Sequence, residues 1–530
     1  MGKATTILAA LRRPSEARAL VNYTVWRDPL HRIEDNPESG WDREEMKQCW
    51  GFLDATSRSF AAVIKELEGD LSRVIALFYL ILRGLDTIED DMTLDIDTKV
   101  PLLVNFHERL EEDGWNFTES GPNEKDRALL VDFQVVIAEY KRLGPESVPI
   151  DPSHSVRGRM LTLGPTYTFR ISYKKAIVDI TQKMGAGMAR YAKVHAESGG
   201  KFSVDTLASF DLYCHFVAGL VGEGLSRLFS ASGKGAPELG QQVSLSNSMG
   251  LLLQKTNILR DFREDTDEGR VFWPAELWSK YVDKPEHLYA RGNEQKALWA
   301  LSEMTVDALT HATDALDYLT LLSNQSVFNF CAIPQAMAMA TLHECFMNPK
   351  VFHQNVKIRK GLAVRLILDA TNPRDVAYMF RDMARAIHAK AVSNDPSFIK
   401  IAVLAGRIEQ WAETRYPSFI EVGKPVPKST EDWRPGMDSR VRQLAPTEAI
   451  LAERKERAAV MEATKMSNDD YKFLALLLGG IVLLFLVLAA IGGGMMWWFF
   501  FREGARFAED VLGDPEEIAA RAKEILHPEF

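Results

Sequence analysis

Between about residues 40 and 410, apolar residues recur mostly at spacings of three and four, in long segments without proline. This spacing predicts amphipathic α-helices, and ALWALSEMTVDALTHATDALDYLTLL, residues 297–322, shows it plainly. The run VIALFYLIL, residues 74–82, is also compatible with a buried strand on periodicity alone. Because it lies inside a longer proline-free segment, residues 52–100, a buried helix is favoured. The pattern therefore predicts an all-α fold.

Breaks in the helical pattern predict the domain boundaries. Residues 1–35 are predicted to form an N-terminal segment, residues 36–414 the main helical domain, and the proline-containing residues 415–472 a linker. Within the helical domain, SVPIDPSHSVRGRMLTLGPTYTFRIS, residues 147–172, lacks the helical period and contains several prolines. Two interpretations of this insertion stay open: a flexible surface loop, or an intron retained in the coding sequence.

The C-terminal part contains a long apolar run, FLALLLGGIVLLFLVLAAIGGGMMWWFFF, residues 473–501, without an ionisable side chain. About 20 apolar residues are enough to cross a bilayer core, so the run predicts a C-terminal transmembrane helix. Lys and Arg are somewhat more frequent before the run than after it, which predicts a tail anchor with the large N-terminal part in the cytosol. Residues 502–530 read as a short amphipathic tail.

Composition and charge exclude some classes of protein. The 530 residues contain 63 Lys+Arg and 73 Asp+Glu, a net charge of −10, which argues against a nucleic-acid partner. Hydrophobic residues make up 46%, enough for a large core. The four cysteines match no zinc or disulfide spacing and fit a reducing compartment.

Common nucleotide-binding motifs are absent from the sequence: it has no P-loop and no G-x-G-x-x-G after a predicted strand. The nearest match, Gly185-Ala-Gly187, lacks the third glycine and is interpreted as close helix packing. Any nicotinamide cofactor is therefore expected to bind without a Rossmann domain.

Two acidic motifs, DTIED and DFRED, are the strongest chemical signal. We call their carboxylates the first acidic cluster (Asp86, Glu89, Asp90) and the second acidic cluster (Asp261, Glu264, Asp265). The spacing i, i+3, i+4 places the three members of each cluster on one helical face. A single motif of this kind is compatible with a solvated helix face, but two independent copies, each after an apolar segment, point to a shared cavity.

Carboxylates that crowd into one cavity must bind cations or take up protons. Like charges about 5 Å apart repel by roughly 3 kcal/mol at an effective dielectric constant of 20. Oxygen ligands without His or Cys favour a hard ion, and Mg²⁺ commonly binds carboxylates together with phosphate oxygens. The clusters therefore predict a Mg²⁺ cofactor and a diphosphate substrate.

Basic and amide residues near the clusters fit a diphosphate substrate. Arg83 lies one turn before Asp86, and Gln254 and Asn257 share a helical face with Asp261, next to Arg260. The segment SRSF, with Arg58 between Ser57 and Ser59, supplies a further group of hydrogen-bond donors for phosphate oxygens.

Five sequence blocks carry a resemblance to a known family: LRGLDTIEDDMT, YCHFVAGLVGEGLSRLFS, SMGLLLQKTNILRDFRED, NQSVFNFCAIPQ and VKIRKG. In this order they closely resemble the squalene synthases, or farnesyl-diphosphate farnesyltransferases, of the head-to-head prenyl synthase family. The resemblance covers about residues 25–410, apart from the insertion. It implies an isoprenoid-synthase helical bundle around a central cavity.

The resemblance also implies a reaction in two halves. Two farnesyl diphosphates condense head to head with Mg²⁺ to give presqualene diphosphate, which then rearranges and is reduced by NADPH to squalene, in sterol biosynthesis. A tail anchor in the endoplasmic reticulum membrane and a monomeric state are expected. The C30 hydrocarbon product would leave readily into a membrane.

Carried over to matching positions, the resemblance assigns roles to individual residues. Catalytic roles fall to Tyr213, for proton handling, to Phe330, for shielding a carbocation, and to Asp86, Asp90, Asp261 and Asp265. The metal ligands are the six residues of the two acidic clusters. The expected substrate-binding residues are Ser57, Arg58, Ser59, Phe60, Arg83, Gln254, Arg260 and Arg270, and those expected to bind NADPH are Asn257, Lys357 and Arg359.

Two alternatives remain at this stage. A dehydrosqualene or phytoene synthase shares the acidic motifs but uses no NADPH; the VKIRKG block and the predicted tail anchor argue against it. A tail-anchored helical scaffold without catalytic activity is the alternative from another class. The two acidic motifs in apolar surroundings argue against the scaffold.

Overall fold

The computed structural model describes residues 13–27, 29, 31–143, 173–198 and 202–418, together with residues 479–480, 483, 485–487, 489–498, 500, 516 and 519. The side chains of Trp26, Arg58, Ser59 and Phe202 lie outside this description. The chain separates into two units, Met1–Pro417 and Ser418–Phe530. The predicted insertion, residues 147–172, lies outside the described residues, and so does residue range 419–472 of the predicted linker.

The first unit is built almost entirely from helices in its described part. Its α-helices are, in chain order, Pro14–Val21 (α1), Glu44–Thr56 (α2), Arg58–Lys65 (α3), Leu71–Asp90 (α4), Ile96–Arg109 (α5), Arg127–Val131 (α6), Gln134–Lys141 (α7), Tyr173–Glu197 (α8), Leu207–Cys214 (α9), Leu220–Ser232 (α10), Val243–Arg260 (α11), Phe262–Asp267 (α12), Ala275–Trp278 (α13), Glu294–Leu309 (α14), Ala312–Thr320 (α15), Gln325–Cys345 (α16), Lys360–Asp369 (α17), Pro373–Lys390 (α18) and Phe398–Arg415 (α19).

Shorter elements connect these helices. Asn22–Trp26 and His215–Gly219 are π-helical, and Pro237–Gln241, Pro285–Tyr289 and Pro349–Phe352 are 3₁₀-helical. Two strands, Phe202–Ser203 (β1) and Arg270–Val271 (β2), pair in parallel with Phe202 opposite Arg270. The prediction of an all-α fold is confirmed for the described part of this unit.

Helix α4 is largely buried in the core, and it shows whether the ambiguous apolar run forms a helix or a strand. The run VIALFYLIL falls within this single 20-residue helix, so the helical interpretation is confirmed. Leu77, Phe78, Leu80 and Ile81 are each at most 1% exposed. A helix that is apolar nearly all round is stable only when other helices surround it, and α4 packs against α2, α3, α5, α6, α7, α8 and α10.

Two glycines of α8 allow close contacts with neighbouring segments. A Cβ atom on Gly185 of α8 would lie 2.1 Å from the carbonyl oxygen of Leu103 in α5, and one on Gly187 would lie 2.3 Å from the Phe216 ring. No larger residue fits at either position without moving the neighbouring helix or ring. The interpretation of Gly185-Ala-Gly187 as a packing motif is confirmed.

The second unit is described only at scattered positions, which are helical between 479 and 500. Among the described residues, no helix has the length and hydropathy of a membrane span. The first residues of the predicted span, 473–478, lie outside the described part of the chain. The C-terminal transmembrane helix therefore stays a prediction.

Candidate active site

A cavity of about 450 Å³ lies in the helical bundle of the first unit. Its walls come from α3, α4, α10, α11 and α16, with contributions from α8, α12, α15 and β2. Five of the six carboxylates from the two acidic clusters line this cavity: Asp86, Glu89, Asp90, Asp261 and Asp265. Much of the remaining lining is apolar, including Phe78, Leu225, Phe229 and Phe330. One cavity thus combines a charged region with a large apolar wall.

The first acidic cluster lies in the last turn of α4. Because α4 is packed along its length, its C-terminal turn is held at the cavity wall. Arg83, one turn earlier, donates to Asp86 at 2.6 Å and to the hydroxyl of Tyr79 at 3.2 Å. Arg83 Nε also lies 3.8 Å from an Asp126 carboxylate oxygen.

The second acidic cluster lies where α11 meets α12, and Asp261 occupies a one-residue break between the two helices. Helical hydrogen bonds continue through the break, from the Asp261 N–H to Asn257 at 2.9 Å and from the Asp265 N–H to Asp261 at 3.0 Å. The predicted common face is therefore kept for Asp261 and Asp265. Glu264 does not line the cavity, and its carboxylate instead accepts a hydrogen bond from Asn355 at 3.2 Å.

Arg270 links the two clusters. Its guanidinium lies 2.6 Å from Asp90 of the first cluster and 3.5 Å from Asp265 of the second, and it also pairs with Glu268 at 2.6 Å. The residue belongs to β2, so its backbone position is fixed by the parallel pairing with Phe202. One cationic side chain therefore reaches both clusters at once.

Three carboxyl groups of the cavity hold their protons more tightly than ordinary ones. Burial is the main cause and raises the pKa of Asp86 to about 7, of Glu89 to about 8 and of Asp265 to about 7. The Asp90 carboxylate adds to the rise for Asp86 and Glu89, and the Asp261 carboxylate to that for Asp265. The side chain of Asp86 keeps 31% of its surface accessible, but the surrounding protein still limits its hydration. Further positive charge in the cavity would let these groups ionise.

The donor set fits a hard divalent cation. The two clusters offer only carboxylate oxygens, the ligand type that Mg²⁺ prefers, and burial raises the pKa of Asp86, Glu89 and Asp265, so that a bound cation would favour their ionised form. Within the described ranges, no three Asp, Glu, His or Cys side chains are already grouped closely enough to hold a metal ion. Arg83, Arg260 and Arg270 pair with the cluster carboxylates instead.

Tyr213 and Phe330 both line the cavity, as the sequence predicts. Tyr213 is 5% exposed and its ring stacks on Phe272 with centroids 5.1 Å apart. Burial, and then the charges of Glu89 and Asp90, raise the pKa of Tyr213 well above its usual value, so the phenol keeps its proton. Phe330 of α16 lies edge-on to Phe229 at 6.0 Å, in the apolar part of the lining.

The predicted substrate-binding residues are partly brought together. Phe60, Arg83, Gln254, Arg260 and Arg270 line the cavity. The Ser57 side chain instead caps α3 by accepting a hydrogen bond from the Phe60 N–H at 3.3 Å. The side chains of Arg58 and Ser59 lie outside the described residues, so their assignment stays a prediction.

The residues predicted to bind NADPH are divided between two places. Asn257 lines the cavity, whereas Lys357 and Arg359 do not. Lys357 is exposed. Arg359 pairs with Glu344 at 2.7 Å and with Glu16 of α1 at 3.0 Å.

Sequence reasoning missed Asn355 and Glu16 as neighbours of the predicted site. Asn355 reaches the second acidic cluster from 94 residues away in sequence, and Glu16 reaches Arg359 from 343 residues away. No local spacing can reveal such contacts. The only signal for Asn355 is its position directly before the VKIRKG block.

A helical bundle whose apolar cavity carries two carboxylate clusters and several arginines has the features of an isoprenoid synthase, a class of prenyltransferase. The family model described as squalene/phytoene synthase matches residues 165–361. The chain is 54% identical over 461 residues to a squalene synthase of Mycosarcoma maydis, covering 83% of this chain and 76% of that protein. It is 48% identical over 411 residues to a squalene synthase of Schizosaccharomyces pombe, covering 77% of this chain and 82% of that protein.

A solved structure described as the complex of TcSQS with the ligand E5700 matches the fold with a TM-score of 0.62 and 36% identity, covering 70% of this chain and 99% of that one. The chain therefore belongs to the squalene synthase family, and it is a prenyltransferase of sterol biosynthesis.

The raised pKa of Glu89 predicts a pH-dependent loss of stability in the metal-free protein. The folded state keeps a proton that the unfolded chain releases above about pH 4.5, so the free energy of unfolding falls as the pH rises from about 4.5 to about 8. Since one pKa unit corresponds to about 1.4 kcal/mol, Glu89→Gln should be more stable than the wild type by more than about 1.4 kcal/mol at pH 8.5. Urea unfolding in EDTA measures this difference.

The advantage of Glu89→Gln should shrink toward pH 5, where the wild-type carboxyl is protonated. Glu108→Gln, at an exposed position of α5, is the matched control and should show no such pH dependence. An advantage of equal size at both pH values would contradict the electrostatic account of the cavity.

Proposed function

We propose that the chain joins two farnesyl diphosphates head to head to form presqualene diphosphate, with Mg²⁺, and then reduces this intermediate to squalene with NADPH. One observation carries the proposal: five of the six carboxylates, drawn from both acidic clusters, line a single cavity whose remaining wall is largely apolar. Such a cavity can hold a diphosphate at its charged wall while the prenyl chain contacts its apolar wall. The family membership supports the same reaction.

The charged wall of the cavity is suited to diphosphate release. Arg83, Arg260 and Arg270 supply donors to phosphate oxygens, as bidentate guanidinium groups commonly do. Mg²⁺ would be held by Asp86, Glu89, Asp90, Asp261, Glu264 and Asp265. When bound, it supplies the positive charge that stabilises the leaving diphosphate.

The apolar wall is suited to an allylic cation. Phe330 presents an aromatic ring in this region, and an aromatic face stabilises a desolvated cation by about 2 kcal/mol. Tyr213 is a protonated phenol at the cavity wall. In cyclopropane formation Tyr213 can accept a proton from the substrate only if its own phenolic proton passes to a nearby base. The released diphosphate is such a base.

For NADPH, Asn257, Lys357 and Arg359 are the proposed phosphate-binding residues. Asn257 is at the cavity wall, and Lys357 is exposed to solvent. Arg359 is paired with two carboxylates, so a cofactor phosphate would have to replace Glu16 or Glu344 as its partner.

For localisation, we propose a tail anchor in the endoplasmic reticulum membrane, with the catalytic unit in the cytosol. The apolar run of residues 473–501 supports it, and large apolar side chains described in this region, such as Leu483, Phe485 and Trp497, are each more than 60% exposed. Exposed apolar side chains of this kind are stable in a lipid environment. The monomeric state stays a prediction.

Product analysis with labelled farnesyl diphosphate tests the proposed function. With Mg²⁺ and NADPH the full-length chain should form squalene, and without NADPH it should accumulate presqualene diphosphate. A phytoene-type synthase would not respond to NADPH, and a scaffold protein would not consume the substrate. Asp90→Asn, as the inactive control, should lower turnover at least about 100-fold, the loss typical when a group that stabilises transition-state charge is removed.

Arg359→Ala should impair the reductive half-reaction and spare the condensation, so that presqualene diphosphate accumulates in the presence of NADPH. The variant also removes the Arg359 guanidinium from Glu16 and Glu344, and Glu16 keeps a longer ion pair with Arg13, at 3.7 Å. The double variant Arg359→Ala/Glu16→Gln separates the structural effect at Glu16 from the cofactor role, because it removes the charge left at Glu16 without restoring a phosphate ligand. Recovery of squalene formation in the double variant would show that Arg359 is structural and would contradict its cofactor role.

A further inference from the structure

The loop that precedes α17 is connected to the second acidic cluster by one amide side chain. Residues 353–359 join the 3₁₀-helix Pro349–Phe352 to α17 and contain most of the VKIRKG block. Asn355 is half-buried and directly precedes this block. Asn355 lies outside the five sequence blocks, and the proposed reaction assigns it no role.

The Asn355 amide contacts two carboxylates of the second acidic cluster. Its Nδ2 donates one hydrogen bond to Asp261 and another to Glu264, the latter at 3.2 Å. Its Oδ1 is buried and has no hydrogen-bond partner among the described residues. The orientation of the amide is nevertheless fixed, because the reverse orientation would direct an oxygen acceptor at two carboxylates.

The loop is held against the same region by apolar contacts. The Phe352 ring lies 5.4 Å from Phe262 of α12 and 6.0 Å from Trp273, measured between ring centroids. Val356, on the other side of Asn355, is 8% exposed. The apolar contacts fix the start of the loop, and Asn355 supplies its polar link to the carboxylates.

A neutral donor suits residues that must bind a cation. Arg260 already pairs with Asp261, so a Lys or Arg at position 355 would add a second cation that competes with the metal ion, and an Asp or Glu would repel both carboxylates. An amide N–H instead holds the carboxylate in one orientation and leaves its charge available. Donors of this kind behind metal-binding carboxylates typically change metal affinity about 10–100-fold when removed.

We propose that Asn355 is a positioning residue that orients Asp261 and Glu264 for Mg²⁺ and transmits cation binding at the second acidic cluster to the VKIRKG loop. The inference rests on the proposed function for the metal site and for the loop. Once a cation fixes the two carboxylates, both hydrogen bonds of Asn355 persist longer and the loop is held more firmly. The loop that contains Lys357 and Arg359 is thereby ordered when the diphosphate site is loaded.

Two readouts on the full-length chain test this inference without relying on turnover. Calorimetry with Mg²⁺ and inorganic diphosphate measures cation affinity, and amide hydrogen exchange of peptides covering residues 353–361 measures order in the loop. The wild type should bind Mg²⁺, and exchange in the loop should slow when it does. Asn355→Leu, which keeps the branched shape of the side chain and removes the donor, should bind Mg²⁺ about 10–100-fold more weakly and should not show the slowing.

Two further variants separate the hydrogen bonds from packing. Asn355→Gln keeps an amide donor and should recover part of the affinity and of the slowing. Gln354→Leu changes the neighbouring exposed position and should behave as the wild type in both measurements. Wild-type behaviour of Asn355→Leu, or failure of Asn355→Gln to improve on Asn355→Leu, would overturn the inference.

The same measurements distinguish this inference from the proposed function. If the wild type bound no Mg²⁺ in the presence of diphosphate, the proposed function and the role of Asn355 would both fail. If the wild type bound Mg²⁺ and Asn355→Leu bound it equally well, only the role of Asn355 would fail.

Discussion

Repulsion among carboxylates around one cavity is the interaction on which the rest of the site depends. Five carboxylates line the cavity, and burial together with their mutual repulsion raises the pKa of several of them. Arg270 lowers this repulsion by contacting both clusters, and Arg83 and Arg260 each pair with one carboxylate. Asp86, Glu89 and Asp265 still hold their protons more tightly than ordinary carboxyl groups. A site in this state favours divalent cations, and with them an anionic substrate.

The helical fold makes this arrangement possible. Helix α4 is buried along most of its length and ends in the first acidic cluster, and α11 runs along the cavity to the second. Helices of this length hold their terminal turns in place through many apolar contacts, so the energetic cost of collecting like charges is offset by the core. The same apolar side chains form the wall that a prenyl chain requires.

The local sequence pattern was sufficient to predict part of the fold and part of the site. The length of the proline-free segment around VIALFYLIL distinguished a helix from a strand, and the structure confirms the helix. The i, i+3, i+4 spacing placed Asp86, Glu89 and Asp90 on one face, because helix geometry alone determines that result. The residue types of the two clusters were enough to expect a cation site.

Contacts between distant segments could not be predicted in this way. Glu264 shares the spacing of its cluster but lies outside the cavity lining, where it accepts a hydrogen bond from Asn355, in a loop 91 residues away. Arg359 pairs with Glu16 of the N-terminal helix α1, and the Ser57 side chain caps the N-terminus of α3. These outcomes depend on tertiary packing, which neither periodicity nor spacing encodes.

The central claim is that the two acidic clusters act as one cation site. A double-mutant cycle of Asp86→Asn and Asp261→Asn, with Mg²⁺-dependent binding of inorganic diphosphate measured by calorimetry, tests it most directly. If the clusters share a cation-bound diphosphate, either substitution alone should remove most of the binding free energy, and the double variant should lose little more, a coupling of at least about 1 kcal/mol. Losses that add to within about 0.5 kcal/mol would show two independent sites and contradict the account.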